Sequence, residues 1–287
     1  MQEISVKRRV YVNRLVYVVV CFFAALTSVP LLAILGEVLV RGWHQLNWSF
    51  FTEATPTAYK AMQAVAAGES IPGGIANGIV GTLLMLSMAS MLAVPIGILC
   101  GIYLAENRKR RFSQFVSYLT DLLQGTPSVI IGIVTYIWVV VPMRGYSAIA
   151  GSVALFIMML PLIIRSTEET MKILPVSLKE AGLALGGSYS RVVMHVMLPS
   201  AFSGIFTGVL LAVSRVIGET APLMFTALGC SIVRWDVDQP MAAVPLLIWE
   251  FFNDPNLQDL IWGASLFLLL FVLFLNIIAK IIAKKWK

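Results

Sequence analysis

Charge is what this chain has least of. Only 13% of its 287 residues are charged, against about 25% for a typical soluble domain. Histidine and cysteine are scarce too. The two histidines, His44 and His195, and the three cysteines, Cys21, Cys100 and Cys230, are scattered without metal-ligand spacing or a disulfide framework. Intramembrane haem or metal chemistry therefore has no candidate ligands. The chain also lacks a G-x-x-x-x-G-K-[ST] phosphate loop, so it has no nucleotide site of that kind. No nucleophile–base pair stands in its apolar stretches, which argues against an intramembrane enzyme.

Long apolar runs are what it has instead: 59% of residues are hydrophobic and the mean hydropathy is +0.86. Six runs stand out, at residues 15–40, 74–105, 115–141, 146–164, 201–229 and 257–283. Each is near or above the roughly 20 residues that cross a bilayer core as a helix. The first follows Lys7, Arg8 and Arg9 as a secretory signal would. Its apolar core exceeds the roughly 7–15 residues of a signal, and no small-residue cleavage site closes it. A retained helix is expected.

Basic residues set the orientation. Lys7, Arg8, Arg9 and Arg14 precede the first run, and Arg108, Lys109, Arg110 and Arg111 separate the second and third. Arg165, Lys172, Lys179 and Arg191 separate the fourth and fifth, and Lys280, Lys284, Lys285 and Lys287 close the chain. The opposite side carries Arg41, Lys60, Arg144 and Arg234. This places both termini in the cytoplasm, with residues 1–14 and 284–287 as basic cytoplasmic ends of a transmembrane domain at 15–283. The net charge of +6 then follows from topology, without nucleic acid.

Three loops carry further signals. Residues 41–73, outside, hold Trp43, Trp48, Phe50 and Phe51, suited to the headgroup level. Residues 230–256, also outside, contain "MAAVPLLIWEFF", too short to span and expected to fold as a cap on the helix ends. Residues 166–199 are cytoplasmic and long for a connector. Ser177 and Glu180 have capping-box spacing, and Gly186-Gly187 would end the helix they start. "SYSRVVMHVML" then reads as a second short helix closed by Pro199.

The stretch "EAGLALGGSYSRVVMHVMLP" resembles the cytoplasmic loop of ABC importer permeases with the pattern E-A-A-x3-G-x9-I-x-L-P. Glu180, Ala181, Gly186, Leu198 and Pro199 fit it; Gly182 replaces the second alanine and Val196 the isoleucine. "FFTEATP", "GGIANGIVGTLLM", "DLLQGTPSVIIGI", "RVIGETAPLMFTALG" and "PMAAVPLLIWEFF" further resemble the A-type permease subunits of phosphate-specific ABC transport systems. The resemblance implies an all-α membrane protein of six transmembrane helices, with the type I (MetI-like) importer architecture. It implies no cofactor on this chain and no catalysis by it. The implied partners are a homologous C-type permease, two copies of a cytoplasmic ATPase that uses ATP, and an extracytoplasmic phosphate-binding protein. Glu180, Ala181, Gly182, Gly186, Leu198 and Pro199 would couple to the ATPase. A permease for sulfate or molybdate is the nearest rival. An ATPase-independent secondary transporter is disfavoured by the hairpin and by the lack of an inverted repeat.

Arg215, the one cation outside the topological count, lies with Glu219 inside the fifth run. Drawn as one helix, that run puts Gly204, Gly208, Ala212, Arg215, Glu219 and Pro222 within about 80° of one another. Small residues on this face predict protein contact rather than lipid. Arg215 either pairs with Glu219 or faces the translocation path and meets the anion, for which a planar guanidinium fork is well suited. In the third run, Asp121, Gln124, Gly125, Ser128, Gly132 and Thr135 fall within about 100° of one another and form a second polar face.

Tags at both termini and in 108–111 are expected to report cytoplasm, and a tag near Lys60 or Asp236 the outside. An external C-terminus would show the spans to be miscounted.

Overall fold

Hydrocarbon offers the backbone no hydrogen bonds, so the apolar runs must satisfy their own amides. They do so as helices in the computed structural model, which describes residues 2–68 and 71–285. Lys287, assigned above to the cytoplasmic tail, lies outside the described residues. In chain order the helices are α1 (Gln2–Trp43), α2 (Trp48–Thr52), α3 (Ala58–Ala67), α4 (Ala76–Glu106) and α5 (Arg111–Gly125). Next come α6 (Ser128–Met143), α7 (Ala148–Ile173), α8 (Val176–Ala184), α9 (Tyr189–Ile217) and α10 (Ala221–Thr226). The last two are α11 (Val244–Asn253) and α12 (Gln258–Lys285). Among the described residues, five helices are long and apolar enough to cross a membrane, and α5 with α6 makes a sixth crossing if that bent pair is one span.

The core is built around α7, whose first turn is capped by Ser147 accepting from the Ala150 N–H at 3.1 Å. Along it lies α4, with Gly97 against Ile163 and Gly101 against Thr167. On the other side runs α9, with Gly204 against Thr170 and Gly208 against Ser166. These registers make α4 and α7 parallel and α9 antiparallel to both. Met85, Ala93, Met159, Ala212 and Val216, all nearly inaccessible, fill the centre. At the end away from Arg108–Arg111, α11 buries Val244, Leu247 and Phe251 against Phe50, Ile75 and Leu260. "MAAVPLLIWEFF" is thus a packed cap.

Four local readings need correction. The third run is not one helix: α5 and α6 meet at 106°. Pro127 excludes the preceding Thr126 from helical geometry, and Thr126 is extended at ψ 131°. The polar residues read as one face therefore divide between two helices. The fourth helix continues to Ile173, so residues 166–173 are span rather than loop. Their polarity misleads because Thr167 and Glu168 are buried. Ser177 is not a cap, since α8 starts at Val176 after Pro175 and no side-chain capping bond forms. Pro199 closes nothing: α9 runs from Tyr189 to Ile217. A π turn at Val193–Met197 precedes the proline and absorbs the missing N–H and the bulk of its ring.

The fifth run also breaks. The helix stops at Ile217, Gly218 caps it, and a new helix starts at Ala221 with Pro222 in its first turn. Glu219 and Pro222 are therefore off the helical face that carries Gly204, Gly208, Ala212 and Arg215.

Gly208 tests the α7–α9 seam, because a Cβ there would overlap Ser166 Oγ. Gly208→Leu should lower the thermal stability of the purified protein by about 1–3 kcal/mol, the usual cost of overpacking. Gly36→Leu, where a Cβ meets nothing within 4 Å, should leave the melting temperature unchanged. Equal melting of the two variants would remove the seam from this account.

Candidate translocation site and coupling surface

Arg215 lies seven residues beyond Gly208 on α9, a rise of roughly 10 Å. Continued along the seam, that places it level with Met159 of α7 and Ala93 of α4, near the middle of α4's length. Ala212 and Val216 are buried in the core, whereas Arg215, at the edge of the same face, is exposed. Leu211, one turn earlier, is exposed with it. Among the described residues no carboxylate lies within salt-bridge distance of Arg215, and Glu219 has no ion pair. The break at Gly218 explains this, since it removes the helical turn that would have brought the two together. Glu219 is half-buried, its N–H bonded to the Val216 carbonyl at 3.1 Å.

The helices that follow the two breaks pack on each other. Helix α10 packs on α6, so closely that a Cβ on Gly132 would stand 2.8 Å from Pro222 Cα. Thr126–Pro127 and Gly218–Thr220 thus interrupt two helices that pack on each other. Unwound backbone at membrane depth is tolerated where protein or a water-filled cavity covers it.

A second polar centre, missed in the sequence, lies toward the Arg108–Arg111 end. Arg165 Nε donates to Asp121 Oδ1 at 2.9 Å and Nη1 to Glu168 Oε2 at 2.6 Å. Its Nη2 donates to the Ser117 carbonyl and hydroxyl at 2.9 and 2.8 Å. Lys172 donates to the other oxygen of the buried Glu168. A cavity of about 570 Å³ opens beside this network. The spacing of Arg165, Glu168 and Lys172 along one helix face was a legible signal, hidden by assigning them to a loop. At the opposite end, a 620 Å³ cavity is lined by Leu228, Trp249, Glu250 and Asp254. Burial, with Asp254 beside it, pushes the Glu250 carboxyl above its ordinary range.

The six residues expected from the sequence to couple to an ATPase fall into two groups. Glu180, Ala181, Gly182 and Gly186 lie on α8 and its closing turn; Leu198 and Pro199 lie inside α9. Gly186 adopts φ 81°. The Gly187 N–H reaches the Gly182 carbonyl at 3.3 Å and the Gly186 N–H the Leu183 carbonyl at 2.9 Å, the two bonds of a Schellman stop. Glycine replaces alanine at 182 for a visible reason: a Cβ there would press within 2.9 Å of Val192 on the returning arm. Val192, Val193, Met197 and Met171 give the hairpin a small core of its own. Its tip exposes an apolar residue, Leu185, 90% exposed, and Val176 at the start of α8 is 69% exposed.

Comparison with known proteins agrees with this geometry. Residues 93–287 match the family described as binding-protein-dependent transport system inner membrane component. The phosphate transport system permease protein PstA of Yersinia pestis is 38% identical over 260 residues, covering 90% of this chain and 85% of that protein. Its counterpart in Haemophilus influenzae is 37% identical over 251 residues, covering 86% and 85%. Among solved structures, the MetNI methionine ABC transporter in an inward-facing conformation gives a TM-score of 0.64 at 18% identity, covering 73% of this chain and 94% of the matched one. That likeness establishes the fold as the MetI type. With its multiple apolar spans, the chain is an inner-membrane permease subunit and belongs to the PstA family of binding-protein-dependent transport components.

Proposed function

We propose that this chain is one transmembrane half of an ATP-driven importer of inorganic phosphate. Its substrate residue is Arg215, and the α8 hairpin is its link to the motor. The observation that carries this reading is an unpaired arginine exposed at mid-depth beside two helix breaks. Facing lipid, such a residue would cost about 2.5–3.5 kcal/mol on insertion scales. Facing a path shared with a second permease, it meets water and the anion. A guanidinium stays charged and offers two parallel donors to phosphate oxygens. The relatives named as phosphate permeases support phosphate over sulfate or molybdate.

The remaining parts follow from the family to which the chain belongs. A homologous C-type permease completes the path, and two copies of a separate ATPase supply the energy. A phosphate-binding protein delivers substrate at the end capped by α11. The end bearing Arg108–Arg111 is then cytoplasmic, and so are both termini. This chain makes and breaks no covalent bond and needs no cofactor. Its work is alternating exposure of the path, driven through the hairpin, whose exposed Leu185 at the tip and Val176 at the start of α8 suit a groove on the ATPase.

Two predictions test the two halves of this reading. The double variant Arg215→Leu/Glu219→Gln, with neither charge, should assemble and yet lose phosphate uptake. A charged hydrogen bond of about 1.5–3 kcal/mol corresponds to a loss of roughly 10- to 150-fold. Arg215→Lys keeps the charge without the fork and should retain part of the rate. Normal uptake by the double variant would remove Arg215 from the path.

Gly186→Leu forces a bulky side chain into the left-handed region, at a cost of about 1–3 kcal/mol. It should insert normally but lose binding-protein-stimulated ATP hydrolysis, whereas Gly186→Asn should keep most of it because asparagine tolerates that conformation. Full stimulation in the leucine variant would reduce the hairpin to a connector.

A further inference from the structure

We propose that α4 is the rod carrying the docking signal from the outer cap to the coupling hairpin, with Glu106 as the positioning residue at its inner end. This rests on the reading of the α8 hairpin as the ATPase link. Helix α4 has 31 residues, about 46 Å of rise, and it is joined to a different moving part at each end.

The outer joint is polar and buried. Asn77, 2% exposed, accepts from the N–H and hydroxyl of Thr55 at 3.1 Å each and donates to the Cys230 carbonyl at 2.7 Å. Thr82 accepts from the N–H of Val244, the first residue of α11, at 2.9 Å. That amide is one of the donors a helix start leaves without an internal partner. The outer end of α4 therefore holds both external segments, 41–73 and 230–256, directed hydrogen bonds fixing what apolar packing alone would let slide.

The inner joint is a clamp. The Glu106 carboxylate, at the last residue of α4, accepts from Lys179 of α8 and from the Tyr189 hydroxyl at the start of α9. The Lys179 ammonium also lies 4.8 Å from the Tyr189 ring centre. One carboxylate thus grips both arms of the hairpin. Ile98, Ile102 and Ala105 of α4 pack against the hairpin core beside it. Helix α7 is joined to the hairpin covalently, but through extended backbone at Leu174 and Pro175, which transmits a push poorly. Between the joints, α4 passes Pro95 without interruption, held against α7 at Gly97 and Gly101.

The test uses the assembled transporter in liposomes with phosphate-loaded binding protein, reading the ratio of stimulated to unstimulated ATP hydrolysis. Glu106→Gln should lower that ratio by about fivefold or more, the lower end of typical site-to-site coupling. The reversed pair Glu106→Lys/Lys179→Glu should recover most of it, which a role in folding alone does not predict. Thr82→Val, which deprives the Val244 amide of its acceptor, should also lower the ratio.

The decisive comparison is the triple of Glu106→Gln, Thr82→Val and their combination. Sites this far apart normally act independently, and their effects multiply. Two joints on one rod act in series, so the combination should be no worse than the more severe single. Multiplying effects would overturn the rod. Full stimulation in Glu106→Gln, with Gly186→Leu unstimulated, would overturn the clamp while leaving the hairpin as the ATPase link. Full stimulation in both would overturn the coupling reading itself. If Glu106→Gln does not assemble, the reversed pair decides alone: stimulation supports the clamp, and an assembled but unstimulated protein overturns it.

Discussion

An arginine at mid-depth in a membrane must find an acceptor, because lipid supplies none. This chain contains two arginines to compare. Arg165 donates from all three of its nitrogens, to Asp121, Glu168 and Ser117; it is fixed within this chain. Arg215 has no carboxylate partner among the described residues, although Glu219 is close in sequence. A fully partnered guanidinium stabilises the arrangement of its own helices; in the function proposed above, the unpartnered one is free to meet a ligand outside them.

The helix breaks belong to the same constraint. A continuous α9 helix would bring Glu219 one turn from Arg215 and neutralise it. The stop at Gly218 and restart at Ala221 prevent that pairing and unwind a few residues at membrane depth. Unwound backbone needs cover, and α6 provides it by packing against α10 at Gly132 and Pro222. The two prolines act differently: Pro127 holds the preceding Thr126 in extended geometry, whereas Pro222 sits in the first turn of α10, where its missing N–H costs least.

Much of this was legible in the residues. Apolar runs gave the helices, and the pattern around Glu180 gave the hairpin with Gly186 at its turn. What failed was treating the third and fifth runs as one uniform helix each. Hydropathy cannot see a break inside an apolar stretch, since Gly218 and Thr126 cost nothing in hydrophobicity. It also misreads buried polarity: Thr167 and Glu168 look like loop and are interior, and the Glu168 carboxylate is satisfied by Arg165 and Lys172 of its own helix. The Glu106 clamp was invisible for a related reason. Its partners lie 73 and 83 residues away in the chain, and no local pattern encodes such a contact.

Stiffness is what finally relates the two ends of the molecule. A force applied at Leu185, the open tip of the hairpin, moves the spans only if the turn does not yield first. The Schellman bonds at Gly182 and Leu183 fix that turn, and the packing of Gly182 on Val192 fixes the two arms to each other. An alanine at 182, the residue the family pattern favours, would push the arms apart unless the valine shrank. The departure at Gly182 and the bulk of Val192 are therefore one feature, a close approach in which the small residue makes room for the large one. The tip then moves as a unit with the start of α9, the helix that carries Arg215 at its other end.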